Sequence, residues 1–310
     1  MLNDKMQTKM KKYIIPIMAL LGSILIAGCR QEVIPEEIPE ENVVPEGPLM
    51  LTVQASKSAE TRALSLDGST LNAYWKDGEK VDVFLDGTWI GTLEAATDGS
   101  SKPGTATLSG PLDSTEGIAS GTTLTLLFPG RTGHDWDYTG QDGSAPDETG
   151  SLATKYDYAL ATVTVQSVSG GAVTTNATAE FVNQQSVYRF GFKAGGTAVS
   201  VKEFTVASDH DKLVRTRSYS GGWTSAYGYL TVTPASATDG LLYLALRNEN
   251  TDTSNKDKLS FYVTGDDNAL YVGTKDVPGD KLGDGKFISA SSVSVTKSDL
   301  SRTGTVEEVW

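Results

Sequence analysis

The sequence predicts an all-β body, and three observations carry that prediction. From Leu49 onward the chain is a succession of short runs rich in Thr, Val, Tyr and Phe, separated by Gly, Ser, Asp and Pro, the residue types of strands and of the turns between them. No window shows apolar residues recurring at helical spacing. The runs Lys80-Val81-Asp82-Val83-Phe84-Leu85 and Thr88-Trp89-Ile90-Gly91-Thr92-Leu93 are separated only by Asp86-Gly87, the length and chemistry of a type I′ hairpin turn.

Further strands are expected at 122–128, 159–166, 186–192, 199–206, 228–233, 241–246 and 259–263. Turn clusters punctuate them at Gly170-Gly171, Gly195-Gly196, Gly265-Asp266-Asp267 and Pro278-Gly279-Asp280. Strands at that spacing over roughly 260 residues suggest two β-sandwiches in series. The boundary is expected near 174–178, giving an N-terminal sandwich over 49–175 and a C-terminal sandwich with a short tail over 176–310.

The N-terminal 29 residues read as an export signal. Lys9, Lys11 and Lys12 form a basic region, and Tyr13 to Ile26 is an apolar stretch interrupted by Pro16 and Gly22. That stretch has signal-peptide length and falls short of the roughly 20 apolar residues of a membrane-spanning helix. Ile26-Ala27-Gly28-Cys29 follows and is similar to a bacterial lipobox, in which cleavage leaves an acylated cysteine as the new N-terminus. Cys29 is the only cysteine, so its acylation leaves no thiol and no possible disulfide. Residues 30–48 are dominated by Pro and Glu, whose fixed φ and mutual repulsion predict an extended, polyproline-like tether.

The chain carries 26 basic and 39 acidic residues, net −13. Four Lys and one Asp lie in the leader, leaving 22 basic and 38 acidic residues, net −16, beyond it. Such a charge repels nucleic-acid phosphates and anionic headgroups.

Catalytic chemistry finds little support. The two histidines lie in the polar segments His134-Asp135-Trp136-Asp137 and Asp209-His210-Asp211, and no nucleophile elbow accompanies them. Both segments could offer metal ligands, but hydrophilic loops are the expected reading, and no metal or other cofactor is assigned. Asp135, Asp137, Thr139 and Gly140 match the first positions of a calcium loop, whereas Pro146 stands where its bidentate Glu is required. Tyr219, Trp223, Tyr227 and Tyr229 cluster in one segment, and flat rings with polar neighbours can stack on sugars. Structural use of these rings is the simpler expectation, as it is for Trp136, Tyr138, Tyr156 and Tyr158.

Several segments, taken in order, resemble the fimbrillin superfamily, the subunits of type V pili. They are Thr61-Arg62-Ala63, then Trp75 through Phe84, Leu127-Phe128-Pro129-Gly130, Tyr138 through Gly143, Lys155 through Ala161, and Phe181 through Phe190. The resemblance spans most of 52–295. It implies two tandem transthyretin-like Greek-key β-sandwich domains, the second opening at Phe181. It also implies a non-enzymatic lipoprotein precursor carried to the outer membrane and exposed at the cell surface, its mature form residing in fimbriae that serve adhesion. The implied partners are other pilin subunits, membrane lipid through acylated Cys29, an arginine-specific protease and a surface ligand.

In that family the protease cuts after an Arg near the start of the first domain, and a donor strand from a neighbouring subunit fills the vacated slot. The matching bond here is Arg62-Ala63, and Leu49 to Ala55 would be the strand lost. The logic is that unpaired backbone groups and an apolar slot invite a strand from outside. Phe287 to Val295 reads as the last strand, leaving Lys297 to Trp310 as a tail. Its ending, Val306-Glu307-Glu308-Val309-Trp310, is short and breaks alternation, which favours a tip or accessory subunit over a repeating stalk. The alternative reading is a membrane-retained surface lipoprotein binding glycans through Tyr219, Trp223 and Tyr227.

Overall fold

The computed structural model describes residues 47–57, 65–67, 70–72, 74–114, 116–147, 150–250 and 257–301. Cys29, the Arg62-Ala63 bond, most of the tether and residues 302–310 lie outside them. The strands in chain order are β1 (Leu49–Lys57), β2 (Ser65–Asp67), β3 (Thr70–Asn72), β4 (Lys80–Leu85), β5 (Thr88–Ala96), β6 (Thr105–Leu112), β7 (Thr123–Phe128), β8 (Asp135–Asp137), β9 (Ala159–Ser169), β10 (Ala172–Thr175) and β11 (Ala179–Asn183). They continue with β12 (Ser186–Ala194), β13 (Thr197–Ala198), β14 (Val201–Ser208), β15 (Val214–Tyr219), β16 (Trp223–Tyr227), β17 (Leu230–Val232), β18 (Leu242–Leu246), β19 (Asp257–Gly265), β20 (Ala269–Val277), β21 (Phe287–Ser294) and β22 (Thr296–Ser301). One short helix, α1 (Ser151–Lys155), precedes β9. The fold is all-β, and every strand anticipated from the sequence is present.

The Asp86-Gly87 turn forms as its sequence dictates. Both residues take positive φ, 48° and 80°, as a type I′ turn requires. Gly87 has a second constraint, because a Cβ there would stand 2.2 Å from the backbone Cα of Gly221. Gly87 O also accepts a bond from Gly221 N at 3.0 Å. We expect Gly87→Ala to cost about 1–3 kcal/mol through backbone strain and to push these two turns apart; thermal unfolding of the variant measures it.

The first sheet closes on itself. β1 pairs antiparallel with β6 over eight residue pairs, from Leu49↔Leu112 to Ser56↔Thr105. From β6 the path runs through β5, β4, β7 and β9 to β10 and β11. These last two return to β1 in parallel, at Met50↔Ala172 to Thr52↔Thr174 and at Ala55↔Ala179 to Lys57↔Phe181. β1 is therefore the strand that joins both ends of the path. Its inward residues Leu49, Leu51, Val53 and Ala55 are buried, whereas Met50 on the other face is exposed, the period-two pattern of a sheet with one dry face. Val81, Val83, Leu93, Leu108, Leu124, Leu126, Val163 and Phe181 complete that core.

The second half is built of two facing sheets. In one, β12 lies between β21, parallel, and β18 with β13, antiparallel. The other runs β17-β14-β19-β20-β22. Phe190 and Phe192 of β12 meet Phe204 of β14 and Phe261 of β19, with ring centroids 4.9–6.4 Å apart, the separations of favourable edge and tilted contacts. This core also takes Phe84, Leu127, Trp136, Tyr138, Tyr156 and Tyr158 from the first half. β8 pairs with β15, which pairs with β16. The whole described body belongs to a single compact unit, 45–310.

Two strand placements differ from expectation. Phe181 to Asn183, expected to open the second half, is the end of β11 and pairs with β1 and β9. The new strand starts at Ser186, after Gln184 N bonds back to Tyr158 O at 2.8 Å. The supposed tail begins with a strand, because Thr296–Ser301 pairs antiparallel with β20. The sequence obscured this, since Lys297 alternates poorly with its neighbours. Its Nζ pairs with Asp267 at 2.8 Å in solvent.

Candidate functional site

The end of β1 holds a group that sequence reasoning missed. The inward phase that buries Leu49, Leu51, Val53 and Ala55 also turns Lys57 inward, and that lysine is only 4% exposed. Its Nζ lies over the rings of Phe128 and Trp75, at 3.7 and 4.3 Å from their centroids. Glu79 Oε2 stands 3.3 Å away and Asp157 Oδ2 3.5 Å away. Burial pushes the Asp157 carboxyl up to about 6, against the opposing pull of Lys57. The signal was available: strict alternation over nine residues places position 57 in the core.

Of the aromatic residues singled out for glycan contact, Tyr219 and Trp223 lie where the two halves meet. Trp223 packs on Trp136 and Tyr219, with centroids 4.4 and 4.9 Å apart, and the Arg217 guanidinium covers it at 3.8 Å. Tyr219 meets Phe84 edge-on at 4.9 Å. It also lines an open cleft of about 520 Å³ with Trp89, Thr88, His134 and Gly221. Tyr227 is exposed, donates to Glu249 Oε2 at 2.7 Å and lies beneath Lys212. The cleft therefore brings Tyr219 together with Trp89, which the sequence did not associate with it, and not with Tyr227.

Behind the rings lies a charged knot. Arg247 reaches Asp284 Oδ2 at 2.5 Å and Glu249 Oε1 at 2.9 Å, and donates to Gln184 O at 2.9 Å. Arg217 Nε stands 3.3 Å from Glu249 Oε1. Tyr138 donates to Gln184 O at 3.1 Å. Burial, then the like charge of Arg247, lowers Arg217 to about 10. Burial also opposes the charge on Arg247, but Asp284 and Glu249 outweigh it and hold that guanidinium firmly protonated. The knot clamps Gln184, the residue at which the chain passes from β11 to β12.

The histidines serve separate places. His134 Nδ1 lies 2.9 Å from Asp82 Oδ2, a buried carboxylate that also accepts from Arg131 N and Thr92 Oγ1. His210 Nδ1 lies 2.8 Å from Asp209 Oδ1 and 3.2 Å from Asp257 Oδ1. Asp257 is fully buried and accepts from Ser208 Oγ and Asn248 Nδ2. Among the described residues, Asp209, His210 and Asp257 are the one group offering three converging metal-ligand atoms. The calcium-like segment takes another form, since Asp135 and Asp137 lie in β8 and Asp137 Oδ1 is engaged by Thr139 N and Oγ1.

The hydrogen bond to Asp257 raises the His210 pKa, with the Asp209 charge adding to it. A raised value in the folded state means the contribution to stability is present below about 6.5, the unfolded value, and is lost as pH rises through the folded one. We expect His210→Gln to flatten the pH dependence of the melting temperature over that window.

No family model matches the chain, and no curated protein matches it. Solved structures do. A Bacteroides fragilis protein assigned to cell adhesion is 11% identical with a TM-score of 0.41, over 84% of this chain and 100% of its own. One from Bacteroides ovatus with the same assignment is 13% identical with a TM-score of 0.39, over 82% of this chain and 97% of its own. A fimbrial protein of Bacteroides ovatus is 12% identical with a TM-score of 0.34, over 80% of this chain and 50% of its own. Among the described residues no helix is long and apolar enough to cross a membrane.

Proposed function

We infer that this chain is a non-enzymatic structural subunit of cell-surface fimbriae, serving adhesion through assembly with other pilin subunits. It is exported as an outer-membrane lipoprotein acylated at Cys29 and cut at Arg62-Ala63 by an arginine-specific protease. β1 is then exchanged for a donor strand. The observation that supports this reading is the position of β1. It closes the first sheet, presents four apolar residues to the core, and precedes the cut bond in sequence. Its departure would free one edge of β6 and one of β10 and β11, a slot for an incoming strand.

Mass spectrometry of surface fractions tests this. Polymers built of a species beginning at Ala63 are the expected result. Polymers containing only the form that begins at acylated Cys29 would sink the processing step. Because Thr296–Ser301 is already paired with β20, removal of 302–310 is the sharper deletion: undiminished polymerisation would rule out that segment as donor and fit a tip or accessory position.

The glycan-binding reading draws on the cleft between Trp89 and Tyr219. Glycan-array binding that disappears in Trp223→Ala or Trp89→Ala, with the thermal transition retained, would favour it.

A further inference from the structure

Lys57 occupies a position that alternation reserves for an apolar side chain, at the last residue of the strand that closes the first sheet. Water is nearly absent there: the Lys57 and Asp157 side chains are 3% and 7% exposed. Trp75 and Phe128 wall the site, edge to face at 5.4 Å. One amine and one carboxyl thus face each other in a dry aromatic cage, 3.5 Å apart, with a second carboxylate, Glu79, at 3.3 Å from the amine. An ordinary buried ion pair needs one carboxylate, and the second partner, only partly exposed, is what general acid–base work requires.

We propose that Lys57 and Asp157 are the reacting pair of an intramolecular amide bond that ties β1 covalently to the segment entering β9, with Glu79 carrying the proton. A proton first passes from the Lys57 ammonium to the Asp157 carboxylate; the Nζ lone pair so freed attacks Cγ of the protonated carboxyl, and a C–N bond forms. The proton released by the amine passes to Glu79 and from there to the Asp157 hydroxyl. The C–O bond then breaks and one water leaves. No oxidant, reductant or co-substrate is consumed. Lys57 Nζ lies 3.5 Å from Asp157 Oδ2, one bond from the carbon it attacks, and holding the two groups together in this way is what makes such a reaction effectively unimolecular. Burial favours the acid form of Asp157, the form that carries a leaving hydroxyl. The product also exchanges two buried charges for a neutral amide in a cage that contains a donor without an acceptor, the Trp75 indole N–H.

The amide forms or fails independently of any cut at Arg62, but it decides what that cut achieves. Molecules bearing it keep β1, and with it everything N-terminal to residue 57, attached to the body. Molecules lacking it release β1 and accept a donor strand. The two fates are an anchored subunit and an exchange-competent one.

Intact-mass measurement and tryptic mapping of the native full chain test the proposal. The expected result is a species lighter than its sequence by one water, with a branched peptide joining Lys57 to Asp157. Lys57→Arg, which keeps the charge and the ring contacts, restores the full mass, as does Asp157→Ala. Glu79→Gln slows amide formation at least tenfold in folded protein; an unchanged rate overturns the role given to Glu79. A folded wild-type chain of full mass after prolonged incubation overturns the amide, and so does a water loss confined to one unbranched peptide. The Ala63 terminus is read on a different peptide, so failure of processing and failure of the amide are distinguished in one digest.

Discussion

Replacing Arg247 by Met should lower the stability of the body by about 1–3 kcal/mol, the cost of leaving two half-buried carboxylates without their cation. Arg247 holds both Asp284 and Glu249 within 3 Å, and it also donates to the carbonyl of Gln184. Burial already pushes the Asp284 carboxyl upward while Arg247 pulls it back, so without the guanidinium Asp284 protonates more readily. Urea titration should show the midpoint falling with little change in slope. A double variant, Arg247→Met with Asp284→Leu, should recover part of the loss, because it removes the stranded charge as well. Lys297→Met, which breaks a solvent-exposed pair, serves as the comparison and should leave the midpoint unmoved.

Leu51→Ala should cost about 2–5 kcal/mol, whereas Met50→Ala, one residue away, should fall within about 0.5 kcal/mol of the parent. Leu51 is completely buried, and Met50 is 45% exposed. The contrast tests the register of β1 directly, because a slip of one residue would exchange the two faces. It also measures how much of the first core depends on a strand that the proposed processing removes. Equal effects at both positions would mean that β1 does not sit in the closed path, and the exchange mechanism would lose its acceptor slot. Chemical denaturation of the two variants, monitored by tryptophan fluorescence, separates these outcomes.

The sequence made the class of fold readable because local chemistry agreed with the global arrangement. Asp86-Gly87 fixed the hairpin, since few other pairs accept two positive φ values in succession. Alternation marked β1 because it presents one face to a core. The start of the second half falls later than expected for a related reason: β11 alternates as well as any strand, and one of the two strands that hold it in the first sheet, β1, lies 124 residues away in sequence. The charged sites were harder to read. Lys57, Glu79 and Asp157 are distant in sequence and meet only through the closure of the sheet. Asp257 joins His210 across 47 residues, which no local pattern around Asp209-His210-Asp211 reveals. The aromatic segment from Tyr219 to Tyr227 was legible as a cluster but not as a surface, since Trp223 turns toward Trp136 while Tyr227 turns outward.

The pairing of β1 on both flanks has a mechanical meaning. A pull delivered from the N-terminal side enters at Leu49 and runs along the strand axis, so the ladders to β6 and to β10 and β11 are strained lengthwise and together. Bonds strained in parallel share the force, whereas bonds strained crosswise open one after another. Resistance to such a pull is a matter of unfolding rate, and here the strand first reached by tension is held on both of its edges. A load applied from that side would be met, within the first sheet, by a strand that cannot be peeled from one neighbour without also sliding past the other.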